Sequence, residues 1–385
     1  MKERIIKNLP INALGCMCGT SMDGLDLALI ETDGKKIFSF GASSFTPFSS
    51  SEREILKLAL GKWPGEGFVN EALDVIHRIH TNEIRKFDAD IIGFHGQTLA
   101  HDPNNKRTHQ IGSGKVISNN VKVPTVWDFR TLDVMSGGQG APLTPFFHFA
   151  CAQFIEVNEV TAFLNLGGVG NMTIVNPSFD RPEADGALLA FDTGPANAPI
   201  DDIVYDRFNK NYDLDGIFAL NGNIDQTIIA TFLKNKYFEL NAPKSLDRNS
   251  FPNFIRALDD LSSYDAIATA TAACVESVRL SLNALIVKPK LVLVSGGGRK
   301  NKTILSALKN TLDAEVSTVD EYGLNGDMLE AQAFGFLAVR VLRGLNTSSK
   351  YTTGVLKAVS GGKISFPNQM VSNLFKDRSS SIFCF

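Results

Sequence analysis

Residues 11–32 read INALGCMCGTSMDGLDLALIET, and this stretch indicates how the first half of the chain folds. An apolar run leads into a polar turn that contains glycine, and a second apolar run follows. The pair Asp23-Gly24 is typical of a tight hairpin turn, because both central residues of such a turn need a positive φ. The stretch therefore predicts two antiparallel strands, and the run KKIFSFGASSFTPF (35–48) predicts a third.

The second half of the chain opens in the same way as the first. The strand pattern VTAFLNL (160–166) precedes a glycine-rich turn, and the strand pattern MTIVN (172–176) follows it. Apolar spacing predicts helices over 51–62 and 66–87 in the first half, and near 199–210, 223–236, 262–286 and 328–342 in the second. This repetition predicts two similar α/β lobes that face each other across a cleft, with coincidence as the alternative because hairpins are common.

Composition and charge exclude some classes of partner. The 385 residues carry a formal net charge of −3, which gives no reason to expect nucleic acid or an anionic membrane. Any bound phosphate must therefore be held by local groups. The five cysteines are scattered and do not form a disulfide framework, and we find neither a signal peptide nor a run of about 18 apolar residues. We expect a cytoplasmic protein.

Three glycine-rich turns are candidate phosphate sites: Gly19–Gly24, Gly167–Asn171 and Gly296–Gly298. Neither a Walker loop nor a dinucleotide fingerprint is present in the sequence. Glycine lets backbone N–H groups approach a phosphate closely, and Thr20 and Ser21 add hydroxyl groups to the first turn. Each turn alone is more often a plain tight turn, whereas three together predict a shared phosphate-binding cleft.

Asp23 and Asp26 lie beside the first of these turns. Carboxylates in small number suit Mg²⁺, because this ion keeps most of its water and needs few protein ligands. We therefore expect these two residues to hold a hydrated magnesium ion.

Asp192 ends the apolar strand pattern LLAFD (188–192) and precedes Thr193-Gly194-Pro195. A carboxylate at the end of a buried strand is placed to contact a ligand and to take a proton from water or a hydroxyl group. Aspartate is also a preferred N-cap, and a helix is predicted shortly afterwards. The local pattern leaves these two roles equally open.

Uncharged hydrogen-bonding side chains follow another apolar strand in FHGQT (94–98). His95, Gln97 and Thr98 are of the kind that binds sugar hydroxyl or amide groups, although a histidine here is also typical of a protein core. Arg130 is suited to bind a substrate carboxylate or to pair with neighbouring aspartates. GGQGAP (137–142) is typical of a flexible connection between lobes.

Several stretches together resemble one known family. They are GTSMDGLDLALIE (19–31), FHGQTLAHDP (94–103), TVWDFRTLDVMSGGQGAPLTPFFH (125–148), FLNLGGVGNMT (163–173), FDTGPANAPID (191–201), PKS (243–245), VSGGGRKN (294–301) and YGLNGDMLEAQAFGFLA (322–338). In this order they resemble the anhydro-N-acetylmuramic acid kinase family. The resemblance covers nearly the whole chain.

The resemblance implies the fold of the actin, hexokinase and heat-shock ATPases, in which duplicated ribonuclease H-like domains flank a central nucleotide cleft. It also implies ATP with Mg²⁺, a homodimer, and a reaction of peptidoglycan recycling. ATP would phosphorylate O6 of 1,6-anhydro-N-acetylmuramic acid while water opens the anhydro bridge, which yields N-acetylmuramic acid 6-phosphate and ADP. The alternatives are a conventional sugar kinase of this fold and a non-enzymatic ATP-binding protein.

Carried over by position, the family's motifs imply roles for individual residues. Asp192 becomes the base that activates water. The turn of Gly19, Thr20, Ser21, Met22, Asp23, Gly24, Leu25 and Asp26 becomes the phosphate-binding turn. From residue type and position we also expect Asn165, Gly167, Gly168, Gly296, Gly297 and Gly298 to bind nucleotide. On the same basis we expect His95, Gln97, Thr98, Arg130, Asn171 and Glu330 to contact the sugar. We expect an N-terminal lobe of residues 1–136, joined by 365–385, and a C-terminal lobe of residues 137–364 with sugar- and adenine-binding elements.

Overall fold

The computed structural model describes residues 9–368 and residue 370, and it divides them into two compact units. Unit 1 contains the described residues up to Ala150 and those from Met328 onward, and unit 2 is Cys151–Asp327. The strands are β1 Ile11–Met17, β2 Gly24–Thr32, β3 Ile37–Pro47, β4 Ile91–Phe94, β5 Gln97–Asp102, β6 Arg107–Ile111, β7 Thr125–Trp127, β8 Thr161–Leu166, β9 Val169–Val175, β10 Leu188–Pro195, β11 Leu291–Ser295, β12 Glu315–Thr318 and β13 Lys363–Ser365.

The helices agree with the predicted apolar spacing to within a few residues at most ends. They are α1 Ser50–Ala59, α2 Val69–Ile84, α3 Gly114–Val121, α4 Thr131–Met135, α5 Pro145–Phe154, α6 Asn197–Phe208, α7 Ile217–Leu220, α8 Gln226–Phe232, α9 Pro252–Asp259, α10 Ser263–Asn283, α11 Lys302–Thr311 and α12 Leu329–Leu342. Local chemistry explains where α1 begins, since Ser49 and Glu52 form a capping box.

The two units contain sheets of the same topology. The sheet of unit 1 has the strand order β13-β7-β4-β1-β2-β3, and that of unit 2 has the order β10-β9-β8-β11-β12. In each, the first three strands form an antiparallel meander, and the two later strands lie parallel to the first strand. The predicted α/β class and the predicted duplication are therefore confirmed.

The first hairpin differs from the predicted tight turn at Asp23-Gly24. Residues 18–23 form a longer loop between β1 and β2, and the positive φ falls on Met22 instead. Met22 is buried, and its N–H donates to the carbonyl oxygen of Gly19. The apolar Met22 side chain packs into the core of unit 1 and so anchors this loop.

Helix α12 belongs to unit 1 although it follows unit 2 in the chain, which makes the predicted division after residue 364 wrong. It packs on β1, β2 and β4 with backbone against backbone. A Cβ added at Gly15 would overlap the carbonyl oxygen of Ala331, and one added at Gly93 would overlap that of Phe334. Glycine at these strand positions therefore sets the distance between helix and sheet.

The predicted division at residue 137 is also wrong, because buried Asp133 holds GGQGAP (137–142) inside unit 1. Its Oδ1 accepts from the Gly140 N–H at 2.7 Å, and its Oδ2 accepts from the hydroxyl groups of Ser348 and Thr353. These bonds join the stretch to a segment that follows α12. It is therefore not a connection between the units. Most of the predicted segment 365–385 lies outside the described residues, and Ser365 pairs with Thr125 of β7.

Each unit has a hydrophobic core of its own. In unit 1 the inner face of β1 and β4 packs against α2, and in unit 2 β8, β9 and β11 pack against α6 and α10. The cysteines within the described residues, Cys16, Cys18, Cys151 and Cys274, are buried and free, and Cys384 lies outside them. Within the described chain, helices fall short of the length and apolarity needed to span a bilayer.

We predict that Gly15→Ala destabilises unit 1 by about 3 kcal/mol, because the added methyl group must push α12 away from β1. The matched control is Gly67→Ala, where a Cβ would have no heavy atom within 4 Å. Urea unfolding followed by tryptophan fluorescence checks this, since both Trp63 and Trp127 lie in unit 1. Equal stability of the two variants would contradict the close packing.

Candidate active site

A row of polar side chains crosses four strands of the unit 2 sheet. Asn171 pairs directly with Asn165 on one side and with Asp192 on the other, and Asn165 pairs with Ser295. Directly paired residues point to the same face of a sheet. The neighbours that point to the other face are core residues: Leu164, Met172, Phe191 and Val294. The alternation of apolar and polar residues therefore aims all four polar groups to one side.

The amides of this row are available to a ligand. Within the described residues, the side chains of Asn165 and Asn171 form no hydrogen bond with protein, and both are only partly buried. Partly buried amides normally find a partner in protein, water or ligand. The row therefore offers donors and acceptors beside the Asp192 carboxylate.

Asp192 is not a helix cap. It lies within β10, whereas α6 begins at Asn197 with Ala196 in the capping position. Its Oδ2 instead accepts from the N–H of Leu246 at 2.7 Å. The structure thus removes the N-cap alternative and leaves the carboxylate as a candidate base.

The pKa of Asp192 is raised to about 6. Burial is the main cause, the Leu246 N–H acts in the opposite direction, and the charge of Asp247 adds to the increase. A carboxylate with this pKa is mostly ionised at neutral pH and is a stronger base than one in open solvent. That is the property a general base needs.

The glycine turn after β8 is tied to the start of α6. The carbonyl oxygen of Gly168 accepts from the N–H groups of Ala196 and Ala198, and that of Gly167 accepts from Asn197. A Cβ at Gly167 would have no contact closer than 3.6 Å, so the outer side of this turn is open. Its carbonyl groups are used inside the protein, which fixes the turn in place.

The turn at Gly296–Gly298 lies against the end of β8. Gly296 has a φ of +72°, and a Cβ there would overlap Oδ1 of Asn165. Asn197 lies beside this turn, and its Nδ2 donates to the carbonyl oxygen of Leu166 at 2.8 Å. The structure therefore brings together the predicted residues Gly167, Gly168, Gly296, Gly297, Gly298 and Asn165. Sequence reasoning missed Asn197, and its place in FDTGPANAPID was the available signal.

The glycine turn is followed by a 3₁₀ turn before the next α-helix begins. A 3₁₀ turn spans Gly297–Lys300, and α11 begins at Lys302 with Asn301 as its N-cap. Arg299 is buried, donates to Asp320 at 2.7 Å and to the carbonyl oxygen of Gly296 at 3.1 Å. Arg299 therefore supports the glycine turn from within unit 2.

The first predicted phosphate turn lies in unit 1, and its side chains divide into two sets. Met22 and Leu25 are buried in the core, so they anchor the turn and can offer a ligand only their backbone. Thr20, Ser21 and Asp23 are exposed. The other predicted residues of this turn are Gly19, which precedes Thr20, and Gly24 and Asp26, which lie at the start of β2.

Gln97 connects this turn to the residues that follow β4. Its Nε2 donates to the carbonyl oxygen of Gly19 at 3.3 Å, and its buried Oε1 has no hydrogen-bond partner. Thr98, one residue further, accepts from Gln110 at 3.3 Å. The unpaired oxygen of Gln97 makes it the better placed of these two predicted sugar contacts.

His95 holds Arg130 and has no ring nitrogen left for a sugar. Its Nδ1–H donates to the carbonyl oxygen of Gly96 at 2.9 Å, and its Nε2 accepts from the Arg130 guanidinium at 3.0 and 3.1 Å. Burial, followed by the charge of Arg130, lowers the pKa of His95 well below its usual value. The neutral ring is therefore a positioning group, which corrects its predicted role as a sugar contact.

Arg130 is the cation of this cluster. Burial lowers its pKa to about 10, while the carboxylates of Glu330 and Asp133 act in the opposite direction. It thus stays charged at neutral pH, and it also donates to the carbonyl oxygen of Gly140 at 2.7 Å. Glu330 is exposed in the first turn of α12. Unit 1 therefore brings the predicted residues Gln97, Arg130 and Glu330 to one end of its parallel strands.

Asp23 and Asp26 fit a hydrated cation better than a dehydrated one. The Asp23 carboxylate is 63% exposed, and its distance to Arg53 is 3.7 Å, which is long for an ion pair. Among the described residues, no group of three or more His, Cys, Asp or Glu side chains could hold a metal. One or two carboxylates are nevertheless enough for Mg²⁺ that keeps its waters.

Two sheets that share the same order of five strands, each with a glycine turn after its first strand, have the duplicated topology of the actin-like fold class, to which ATPases and sugar kinases belong. Comparisons with known proteins narrow this class. The family model of anhydro-N-acetylmuramic acid kinase matches residues 11–367. The chain belongs to this family.

Curated relatives agree with this assignment. An anhydro-N-acetylmuramic acid kinase of Roseobacter denitrificans is 50% identical over 95% of this chain and 97% of its own. One from Ruegeria sp. is 49% identical over 95% and 98%. Among solved structures, a xylulose kinase from Lactobacillus acidophilus is 11% identical with a TM-score of 0.42, over 95% of each chain. At that score the likeness adds nothing to what the strand order shows.

We predict that Asp192→Asn stabilises the protein at neutral pH. Because folding raises the pKa of Asp192, the ionised group destabilises the folded state, fully so above about pH 6 and not at all below the unfolded pKa. Asparagine keeps an acceptor for the Leu246 N–H, so the free energy of unfolding should rise by about 1–3 kcal/mol at pH 8.

Urea unfolding at pH 5 and pH 8 checks this, and the difference from wild type should narrow at pH 5. Asp206→Asn is the control, since Asp206 is exposed on α6. A difference that does not change with pH would contradict the buried-carboxylate account.

Proposed function

We propose that this protein transfers the γ-phosphoryl group of ATP to O6 of 1,6-anhydro-N-acetylmuramic acid while water opens the anhydro bridge. The observation that carries the proposal is Asp192, a partly buried carboxylate of near-neutral pKa in a row of free amides. Membership of the anhydro-N-acetylmuramic acid kinase family gives the substrate and the reaction class. The product is N-acetylmuramic acid 6-phosphate, formed in the recycling of peptidoglycan.

Asp192 starts the reaction by taking a proton from water. The water oxygen forms a bond to C1 as the bond between C1 and O6 breaks. O6 keeps the electron pair of the broken bond and forms a new bond to the γ-phosphorus of ATP. The bond between that phosphorus and the oxygen that joins it to the β-phosphate then breaks, so ADP leaves. The proton on Asp192 is finally released to solvent. One water and one phosphoryl group are added to the sugar.

In each unit, glycine turns would bind phosphate oxygens. Gly19–Gly24 in unit 1 and the turns at Gly167 and Gly296–Gly298 in unit 2 present backbone free of Cβ atoms, which suits such oxygens. Within unit 2, the amides of Asn165 and Asn171 are available beside the glycine turns. Gln97, Arg130 and Glu330 supply the mixture of amide, cation and carboxylate that an amino sugar with a lactyl carboxylate requires.

Magnesium would be held at Asp23 and Asp26. Mg²⁺ bound there would offset charge on the phosphate oxygens of ATP. Asp23 fits because its carboxylate is exposed and only loosely paired with Arg53. A homodimer and a cytoplasmic location remain predictions that rest on the family resemblance and on composition.

A conventional sugar kinase is the second candidate, because the same turns and base would serve a free hydroxyl group. The mass of the product separates the two reactions. Our proposal predicts that the anhydro sugar gains one water and one phosphoryl group, whereas a conventional kinase would add the phosphoryl group alone. Mass spectrometry after incubation with Mg-ATP decides between them, and a product without the added water would refute the proposed reaction.

We predict that Asp192→Asn lowers kcat by about 10³-fold or more, since the amide cannot accept the proton from water. Affinity for ATP, measured by calorimetry, should stay within about twofold because the nucleotide turns are unchanged. Asp206→Asn should behave as wild type. Near-normal turnover of Asp192→Asn would remove the base assignment.

We predict that Asp23→Asn raises the Mg²⁺ concentration needed for half-maximal activity by about tenfold, because a neutral amide is a poor ligand for a hard cation. The measurement is a Mg²⁺ titration of ADP release, with calorimetry of Mg²⁺ binding to the ATP complex as a second readout. Exposed Asp88→Asn serves as the control. An unchanged titration would exclude Asp23 as a ligand.

A further inference from the structure

A segment far from Asp192 in the sequence surrounds its backbone and its side chain. The segment is residues 237–246, which we call the anchoring segment. The Asp192 N–H donates to the carbonyl oxygen of Lys244 at 2.9 Å, and the Tyr237 hydroxyl group donates to the Asp192 carbonyl oxygen at 2.6 Å. With the bond from Leu246 to Oδ2, three of the polar groups of Asp192 are held by this one segment.

These contacts also identify the kind of pair that Asp192 forms with Asn171. β10 is the edge strand of its sheet, and both backbone groups of Asp192 bond to the anchoring segment on its outer side. In an antiparallel ladder, a residue whose N–H and C=O point away from its partner forms a non-hydrogen-bonded pair, which has the closer side chains. Asn171 and Asp192 are such a pair.

We propose that the anchoring segment holds the Asp192 carboxylate by Oδ2, so that Oδ1 takes the proton from a water that the Asn171 amide also contacts. This inference rests on the proposed role of Asp192 as the base. Tyr237 and Leu246 are then positioning residues, which act through Asp192 and contact neither sugar nor nucleotide.

The chemistry of the two oxygens supports this assignment. Oδ2 already accepts a backbone N–H, whereas Oδ1 has no protein donor among the described residues. An N–H donor stabilises the ionised form, so the Leu246 bond counteracts part of the increase in pKa that burial causes. Without it, Asp192 would hold its proton at higher pH and would be free to rotate.

Among the groups around Asp192, the Leu246 N–H lowers its pKa, and the charged and titratable neighbours do not. Asp247 raises the pKa of Asp192, and burial raises the pKa of the Tyr237 hydroxyl group, so that group stays neutral. Burial lowers the pKa of Lys244, and its Nζ donates to the Tyr237 carbonyl oxygen at 3.1 Å and lies 4.5 Å from the Tyr237 ring. Lys244 therefore contacts Tyr237 and does not form an ion pair with Asp192.

The first test compares Leu246→Pro with Leu246→Ala in the full-length protein. Both lose the leucine side chain, but only proline removes the backbone N–H. In the pH profile of kcat/KM for the anhydro sugar, the acid limb of Leu246→Pro should move up by about one pH unit. The limb of Leu246→Ala should match wild type. Limbs that coincide in the two variants would overturn the inference.

The second test keeps the inference falsifiable where the proline variant does not fold. Tyr237→Phe removes one hydroxyl donor and preserves the packing of the ring. We expect kcat to fall about tenfold while KM for ATP and for the sugar stay within twofold, because only the position of the base changes. Exposed Tyr264→Phe is the control. An unchanged kcat, or a loss confined to KM, would overturn the positioning role.

These outcomes are distinct from failure of the proposed function. If Asp192→Asn retains wild-type turnover, the base assignment fails and the anchoring segment has no catalytic part. If Asp192→Asn is inactive while Tyr237→Phe and Leu246→Pro behave as wild type, only the inference about the segment fails.

Discussion

The candidate active site depends on one carboxylate, Asp192, which lies partly out of water at the edge of a sheet. Burial disfavours the charged form of Asp192, and a single backbone N–H from Leu246 partly restores it. In open solvent the group would be ionised but weakly basic, and with several N–H donors it would be weaker still. One donor and partial burial leave it near neutrality, where it is both ionised and basic. The rest of unit 2 maintains this balance.

Strand register is how the sheet places that carboxylate. Asn165, Asn171 and Asp192 align only because two successive antiparallel pairings bring them opposite one another. A slip of one residue would move all three to the other face of the sheet. Such a slip would also expose the core residues Leu164 and Met172. The register that buries the apolar side chains is therefore also the one that points the polar side chains to one face. The interaction that stabilises the unit is thus also the one that builds the site.

Local patterns in the sequence predicted the elements but not the contacts between distant segments. The two hairpins, the glycine turns and most helices follow from apolar spacing and glycine placement, which are properties of neighbouring residues. The pattern left Asp192 undecided between N-cap and base, because both roles use an aspartate before a helix. The start of α6 at Asn197 removes the N-cap role, and the role of base stays a proposal. The contacts of Tyr237 with Asp192 and of Asp133 with Thr353 join residues far apart in the chain, and they carry no periodic signal. For the same reason the return of α12 to unit 1 could not be predicted from spacing.

The duplicated topology shows how the surroundings of Asp192 differ from those of the equivalent strand in unit 1. In unit 1 the third strand of the meander, β3, is connected to β4 by α1 and α2 alone. β3 ends at Pro47, shortly before the capped start of α1. In unit 2 the equivalent connection is much longer and contains the anchoring segment, which returns to cover the free edge of β10. An edge strand exposes unpaired backbone groups that need partners. In unit 2 the anchoring segment supplies these backbone partners and also the Leu246 N–H, which donates to the Asp192 side chain. The segment that covers the edge of the sheet therefore also orients Asp192. A shorter connection would leave the fold of the sheet intact and the carboxylate free to turn.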